Sequence, residues 1–183
     1  MAKYHQTTRR VSMDDVTLIG VDLAKRVFHL HGAAGDGSVV FRKKLSRSQF
    51  RRFMECHPRC VVAMEACGSA HHWGRLIAGF GHEVRLVPPV YAKQYVKRHK
   101  NDAADAEAIA EAASRPTMRF VTVKSQTQQT QAMAYRTRDM LVRQRTQLVN
   151  ALRGHLTEFG VVAPQGIAQI KKLAAAVDAV SSS

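Results

Sequence analysis

The first apolar run of the chain, Val16–Asp22 (VTLIGVD), has the length of a strand and ends on an acidic residue. Arg26–His31 (RVFHLH) alternates apolar and polar positions, as a half-buried strand does. Residues 32–38 (GAAGDGS) are turn chemistry, with Gly32, Gly35, Gly37 and Asp36 close together. Val39–Leu45 resumes the strand pattern. Three strands joined by short turns predict an antiparallel meander.

The pattern then changes period. Ser46–Cys56 reads as a helix, with Ser46 or Ser48 as N-cap and Phe50, Phe53 and Met54 on one face. Cys60–Met64 (CVVAM) is a short buried strand that leads into Glu65. Residues 69–80 form a second helix closed by Gly79 or Gly81, with Ser69 placed as its N-cap. Glu83–Val87 is a third buried run, stopped by Pro88 and Pro89. Strand–helix–strand units of this length imply parallel pairing. A meander followed by β-α-β-α-β is the element order of a ribonuclease H-like fold.

Beyond the basic stretch Tyr91–Lys100, Asp102–Ala113 (DAADAEAIAEAA) is rich in alanine, the best helix former, and ends before Pro116. Its acidic residues begin in the first turn, where the helix dipole favours them. Phe120–Val123 reads as a brief edge strand. From Ser125 to Phe159 the apolar residues Met133, Met140, Leu141, Leu148, Leu152, Leu156 and Phe159 recur near helical spacing. That predicts one long amphipathic helix, either a dimerising coiled coil or an internal brace. Arg136, Arg138, Arg143, Arg145 and Arg153 decorate it. The expected organisation is a flexible basic arm (1–14), an α/β domain (15–124), the long helix (125–160) and a linker (161–183). The Ala-rich ending in SSS reads as a cut in a longer protein.

Composition narrows the function. The chain has 183 residues, 45% hydrophobic and 23% charged, an ordinary globular mixture. Lys and Arg total 28 against 14 Asp and Glu, a formal charge of +14. Such a domain repels itself unless a polyanion is present. The basic residues are spread along the chain rather than gathered on one amphipathic helix, which favours nucleic acid over a membrane. No apolar run approaches the roughly 20 residues of a spanning helix, and MAKYHQTTRR does not read as a secretory signal. A bacterial cytoplasmic, nucleoid-associated location is expected. Cys56, Cys60 and Cys67, with His57, His71 and His72 nearby, invite a zinc reading. No CxxC pair occurs, however, and small buried thiols are the simpler account.

Four acids occupy telling places. Asp22 ends the first strand and Glu65 follows the strand CVVAM. Asp102 and Asp105, three apart, share one face at the start of a helix. In the expected fold the first and fourth strands are neighbours and the acidic helix packs across their ends. The four carboxylates would then converge, and Mg²⁺ or Mn²⁺ would relieve their repulsion. Two such ions are a known solution for phosphodiester cleavage. Each acid also has a plainer explanation as turn chemistry or dipole compensation. Glu107 competes with Asp105, although the 102/105 spacing favours that pair. Lys93, Lys97, Arg98, His99 and Lys100, just before the acid pair, read as phosphate contacts or as a solvated basic face. Trp73, with His71 and His72, reads as a base-stacking platform or as a core residue.

The segments IGVDLAK, MEACGSAHHW, HEVRLVPPVYAKQYVKRHKNDAADAEAIAEAASRPTMRFV and LVRQRTQLVNALRGHLTEFGVVAPQG resemble the DEDD-type insertion-sequence transposases. That family includes pilin-gene invertases and bridge-RNA-guided recombinases. The resemblance runs from Val16 to Gly166. It implies a RuvC-like N-terminal domain whose metal-binding, catalytic acids are Asp22, Glu65, Asp102 and Asp105. It further implies a coiled-coil helix and a second catalytic domain with a nucleophilic serine, beyond Ser183. The implied activity is metal-dependent DNA strand cleavage and exchange with Mg²⁺ or Mn²⁺, guided by a structured noncoding RNA. The partners are then DNA, that RNA and further copies of the chain, as a dimer or as a tetramer on DNA. Lys93, Lys97, Arg98, Lys100, Arg136, Arg143 and Arg145 are the candidate nucleic-acid contacts. A stand-alone Holliday-junction-type nuclease and a non-catalytic nucleic-acid-binding module are the alternatives.

The charge alone generates one expectation. Binding to structured DNA or RNA should weaken steeply with salt, with log affinity falling linearly against log salt. Titration of a labelled oligonucleotide at several salt concentrations checks it; a flat response would remove the electrostatic argument.

Overall fold

Five strands, β1 (Val16–Leu23), β2 (Val27–Ala34), β3 (Val39–Ser46), β4 (Val61–Glu65) and β5 (Glu83–Val87), form one sheet in the order β3-β2-β1-β4-β5. The pairs β1–β2 and β2–β3 are antiparallel, whereas β1–β4 and β4–β5 are parallel. This is the mixed sheet expected of a ribonuclease H-like fold. The computed structural model describes residues 12–92, 94 and 102–181, without the side chains of Asp102, Ala103 and Ile167. Most of the basic arm therefore lies outside the described residues, as do Lys93, Tyr95, Lys97, Arg98, His99 and Lys100.

Helices cover both faces of the sheet. On one side lie α1 (Arg47–Cys56) and α2 (Ala70–Gly79). Their apolar faces close a core with Ile19, Val21, Phe28, Leu30, Val62, Met64 and Leu86. Ser46 caps α1 in a box with Gln49, which settles the choice between Ser46 and Ser48. Phe50 and Met54 are fully buried. Trp73 is a core residue rather than a stacking platform. It is 4% exposed and meets Phe28 and Phe50 edge-on at 5.0 and 5.2 Å. Gly81, at φ 92, closes α2 in the left-handed region that glycine adopts without strain.

On the other side lies α4 (Asp102–Ala113), preceded by the short helix α3 (Pro89–Ala92). Pro89 thus opens a helix where the sequence suggested only a strand stop, because proline suits a first helical position. Ile109, Ala112 and Ala113 of α4 pack with Ala63, Val87 and Ala92. The contact is close. A Cβ at Gly20 of β1 would lie 2.3 Å from the Ala106 carbonyl oxygen and 2.8 Å from the Ala110 Cβ. Small residues on strand and helix are what let the two backbones approach.

Some boundaries differ from the pattern-based reading. β2 continues through Gly32, Ala33 and Ala34, leaving the turn to residues 35–38. Gly32 serves the strand here, because the Phe41 ring of β3 occupies the space a side chain would take. Phe120–Val123 is not an edge strand; Val121 makes one isolated bridge to Leu86. Side chains of α2 take up the backbone beyond it. Arg75 donates to the Lys124 carbonyl at 2.6 Å, and the Lys124 N–H donates to His71 at 3.1 Å. Ser69 stands at the N-cap position of α2 in an α-like conformation and makes no side-chain capping bond. Only its position matches the expected cap.

Residues 1–126 and 127–183 form two compact units. In the second, α5 (Gln126–Glu158) is the long helix, and Gly154 lies within it. The segment expected as a linker contains another helix, α6 (Ile170–Ser181), whose Leu173 packs with Val149 and Leu156. Arg153 fastens the intervening turn by donating to the Pro164 carbonyl at 3.1 Å and the Gly166 carbonyl at 3.4 Å. Further up the helix, Met133, Met140, Leu141 and Leu148 are exposed.

The Gly20 contact yields a prediction. Gly20→Ala should destabilise the fold by about 1–3 kcal/mol, since the methyl meets helix backbone rather than a movable side-chain tip. Urea unfolding of the two proteins measures the difference; equal midpoints would mean that α4 does not press on β1.

Candidate nucleic-acid-processing site

Residues of β1 alternate between the two sheet faces. Ile19, Val21 and Leu23 face the α1–α2 core, which leaves Leu18, Gly20 and Asp22 on the α4 face. The same alternation puts Ala63 and Glu65 of β4 on that face. Val21 pairs with Met64 in parallel register, so the next step sets Asp22 beside Glu65, about 5 Å away across the strand gap. Both acids are half-buried at the carboxyl ends of neighbouring central strands.

Helix α4 runs antiparallel to β1. Ala106 and Ala110 lie over Gly20, while Glu111 and Ser114 share a cavity with Thr17 and Leu18. From Gly20 to Asp22 the strand advances about 7 Å, which four to five helical residues cover. The first turn of α4, Asp102 to Asp105, therefore extends toward the row that holds Asp22 and Glu65. The Asp102 side chain lies outside the described residues. Among the described residues, no group of three or more His, Cys, Asp and Glu side chains is close enough to hold a metal ion.

The acids of α4 are not equivalent. Glu107 is ion-paired with Arg42 of β3 at 2.9 Å, and Glu111 is paired with Arg115 one turn along. Asp105 and Glu65 make no ion pair among the described residues, in a chain with 28 Lys and Arg. Glu107 thus has a structural occupation, and the choice between it and Asp105 favours Asp105. The donor chemistry also fits a hard cation. Asp22, Glu65 and Asp105 all carry carboxylate oxygens, the donors that such a cation takes.

Two residues that the sequence pattern does not single out lie in the same row. Asp22 pairs with His29 of β2, and His29 pairs with Lys44 of β3. Directly opposed residues point to the same face, so the row reads Lys44, His29, Asp22, Glu65 and then Val87 of β5. Asp22 and His29 are symmetric about the β1–β2 turn, a signal available once the meander is assumed. Of the other candidates, Arg136, Arg143 and Arg145 are exposed on α5.

The cysteines take structural places. Cys60 is buried with its sulfur 3.7 Å from His82 Nδ1 and 3.9 Å from His57 Nδ1. The histidine nitrogens that face the sulfur have other work. His82 Nε2–H donates to the Met54 carbonyl at 2.8 Å, while its Nδ1 accepts the Cys60 N–H at 3.3 Å. His57 Nδ1–H donates to the Pro58 carbonyl at 2.8 Å. These bonds tie α1 to the start of β4. Burial pushes the Cys60 thiol from 9.0 up to about 11.

The DEDD_Tnp_IS110 family pattern, described as a transposase, matches residues 19–161. The chain is 52% identical over 162 residues, 88% of its length, to the putative transposase y4pF/y4sB of Sinorhizobium fredii, of which the match covers 42%. It is 54% identical over 149 residues, 81% of its length, to a probable family 20 transposase of Pseudomonas aeruginosa, covering 44% of that protein. It is 47% identical over 162 residues, again 88% of its length, to the transposase for insertion sequence element IS1328 of Yersinia enterocolitica, covering 48%. The chain thus spans less than half the length of these curated relatives.

The thiol yields a prediction. The folded-state value lies above the unfolded one, so the contribution of Cys60 is fully present below pH 9.0 and is lost as pH rises toward about 11. Wild type should lose more stability than Cys60→Ala across that window in urea titrations. Alkylation of the native protein should reach exposed Cys56 first and Cys60 last.

Proposed function

Because the chain belongs to the DEDD_Tnp_IS110 transposase family, we propose that it is the metal-dependent, DNA-cleaving part of a transposase, with Asp22, Glu65, Asp102 and Asp105 as its site. The observation that carries this reading is the placement of Asp22 beside Glu65 at the carboxyl ends of central strands, on the face toward which α4 directs its first turn. Ligands of α/β sheets gather at strand carboxyl ends. Four carboxylates brought to such a place in a chain of charge +14 would be better explained by a bound cation than by fold stability.

In this reading the four acids hold Mg²⁺ or Mn²⁺, which when bound supplies Lewis acidity toward a phosphodiester and favours deprotonation of water. The protein's own part is positional. The sheet holds Asp22 and Glu65 rigidly, and the packing of Ala106 and Ala110 on Gly20 sets how far α4 brings Asp105 and Asp102 forward. The basic residues Lys93, Lys97, Arg98 and Lys100, next to α4 in sequence, bind phosphates beside the acids. Arg136, Arg143 and Arg145 on α5 contact a structured guide RNA. The exposed Met133, Met140, Leu141 and Leu148 support association of α5 with a second helix, in a dimer or a tetramer on DNA. A nucleophilic serine domain, expected from the family resemblance, would occupy length that the relatives have and this chain does not span.

The absence of a three-ligand cluster among the described residues favours a second reading, a nucleic-acid-binding module without catalysis. Mn²⁺ binding, followed by electron paramagnetic resonance, separates the two. Wild type should bind, Asp22→Asn should lose binding, and Asp105→Ala should weaken it more than Glu107→Ala. Glu107→Ala should cost only about 0–1 kcal/mol of stability, as for other exposed ion pairs. No Mn²⁺ binding by wild type would leave the non-catalytic module.

A further inference from the structure

The row that holds the acids has a direction. It begins on a lysine at the β3 edge, passes His29, crosses Asp22 and Glu65, and ends on the buried, apolar Val87. More positive charge gathers at the same end of the sheet. Lys25 and Arg26 form the β1–β2 turn, starting three residues after Asp22. Arg47, the first residue of α1, is pinned there: its guanidinium donates to the Lys25 carbonyl at 3.4 Å and lies 5.3 Å from the Trp73 ring centre.

Among the described residues, the cations other than Arg42 are not compensated by acids. Arg42, two residues before Lys44 on the same face, is paired with Glu107. Lys25, Arg26, Lys44 and Arg47 are all exposed and make no ion pair among the described residues. Lys44 lies two strand gaps, about 10 Å, from Asp22. That is about three nucleotides of rise in one strand of a duplex. A chain of phosphates leaving the acids toward β3 therefore meets a positive group within the reach of its next few links. Toward Val87 the described residues of the row offer it none.

We infer that the DNA strand whose phosphodiester lies at Asp22 and Glu65 runs across β2 to the β3 edge, with Lys44 and the turn residues Lys25 and Arg26 gripping its phosphates on that side. This rests on the reading of the acids as the cleavage site. The residues involved are positioning residues: they set the register of the strand over the acids and take no part in holding a cation. The occupant is DNA because the track is continuous with the phosphodiester to be cut.

Neighbouring lysines on opposite faces of β3 test the track. Lys44→Glu and Lys43→Glu change the charge equally, but Lys43 lies over the Phe41 and Phe53 rings on the α1 side. Binding to a fluorescein-labelled DNA duplex with a single-stranded overhang, and to RNA of the same sequence, is measured by anisotropy in magnesium-free buffer across a salt series. Lys44→Glu should weaken DNA binding about tenfold or more and lower the salt slope by about one, while Lys43→Glu stays near wild type. Mn²⁺ binding by Lys44→Glu, read by paramagnetic resonance, should not fall. Equal losses in the two variants, no loss in either, a loss confined to RNA, or no DNA binding by wild type would each overturn the track. If wild type binds no Mn²⁺, the cleavage reading fails by itself, and the comparison of faces still decides whether the strip grips DNA.

Discussion

The methyl group that Gly20 lacks would lie 2.3 Å from the carbonyl oxygen of Ala106, so the position of helix α4 depends on that missing atom. A helix can rest this close to a strand only where both surfaces are small. The alanines of DAADAEAIAEAA and the Gly20–Ala63 pair of the two central strands provide that. The close packing sets the height of α4 above the sheet. It also sets how far the first turn of the helix reaches toward Asp22 and Glu65. An ordinary leucine seam would hold the helix farther out and carry Asp102 and Asp105 away from the strands.

Charge organises what this contact positions. In a chain of +14, acids are scarce and two of the four in α4 are engaged. Glu107 reaches sideways to Arg42, and Glu111 pairs with Arg115 along its own helix. Asp105 and Glu65 are left without such partners among the described residues. In the proposed reading, a cation bound there balances them. The exposed cations Lys25, Arg26 and Lys44 lie at the same end of the sheet, so the region carries both signs at close range. In the proposed reading, a polyanion and a cation meet on this surface.

The second unit follows a different logic. Helix α5 extends 33 residues, and its buried residues lie near its end, where α6 folds back and Arg153 holds the turn. Earlier in the helix the methionines and leucines face outward. Burying them against another helix would contribute roughly 25 cal/mol for each Å² removed from water. The first unit has a saturated core built around Phe28, Phe50 and Trp73, whereas much of the second unit's apolar surface remains exposed.

Much of this was legible from the amino-acid pattern, because local periodicity reports local structure. Alternation marked β1, β2 and β3, the change to helical spacing marked α1 and α5, and alanine content marked α4. Errors came where a residue's role depended on a distant neighbour. Gly32 looked like a turn until the Phe41 ring from the next strand claimed its empty side. Phe120–Val123 looked like a strand until His71 and Arg75 took over the backbone beyond it. Ser69 had the right identity and place for a cap but the wrong backbone conformation. The sequence by itself determined which acids were candidates, through strand ends and the Asp102–Asp105 spacing. Only the tertiary structure decided that Glu107 is occupied by Arg42, that Asp22 stands beside Glu65, and that His29 and Lys44 share their row. Strand register and ion pairing join residues far apart in the chain, and no local pattern encodes which of several possible partners will meet.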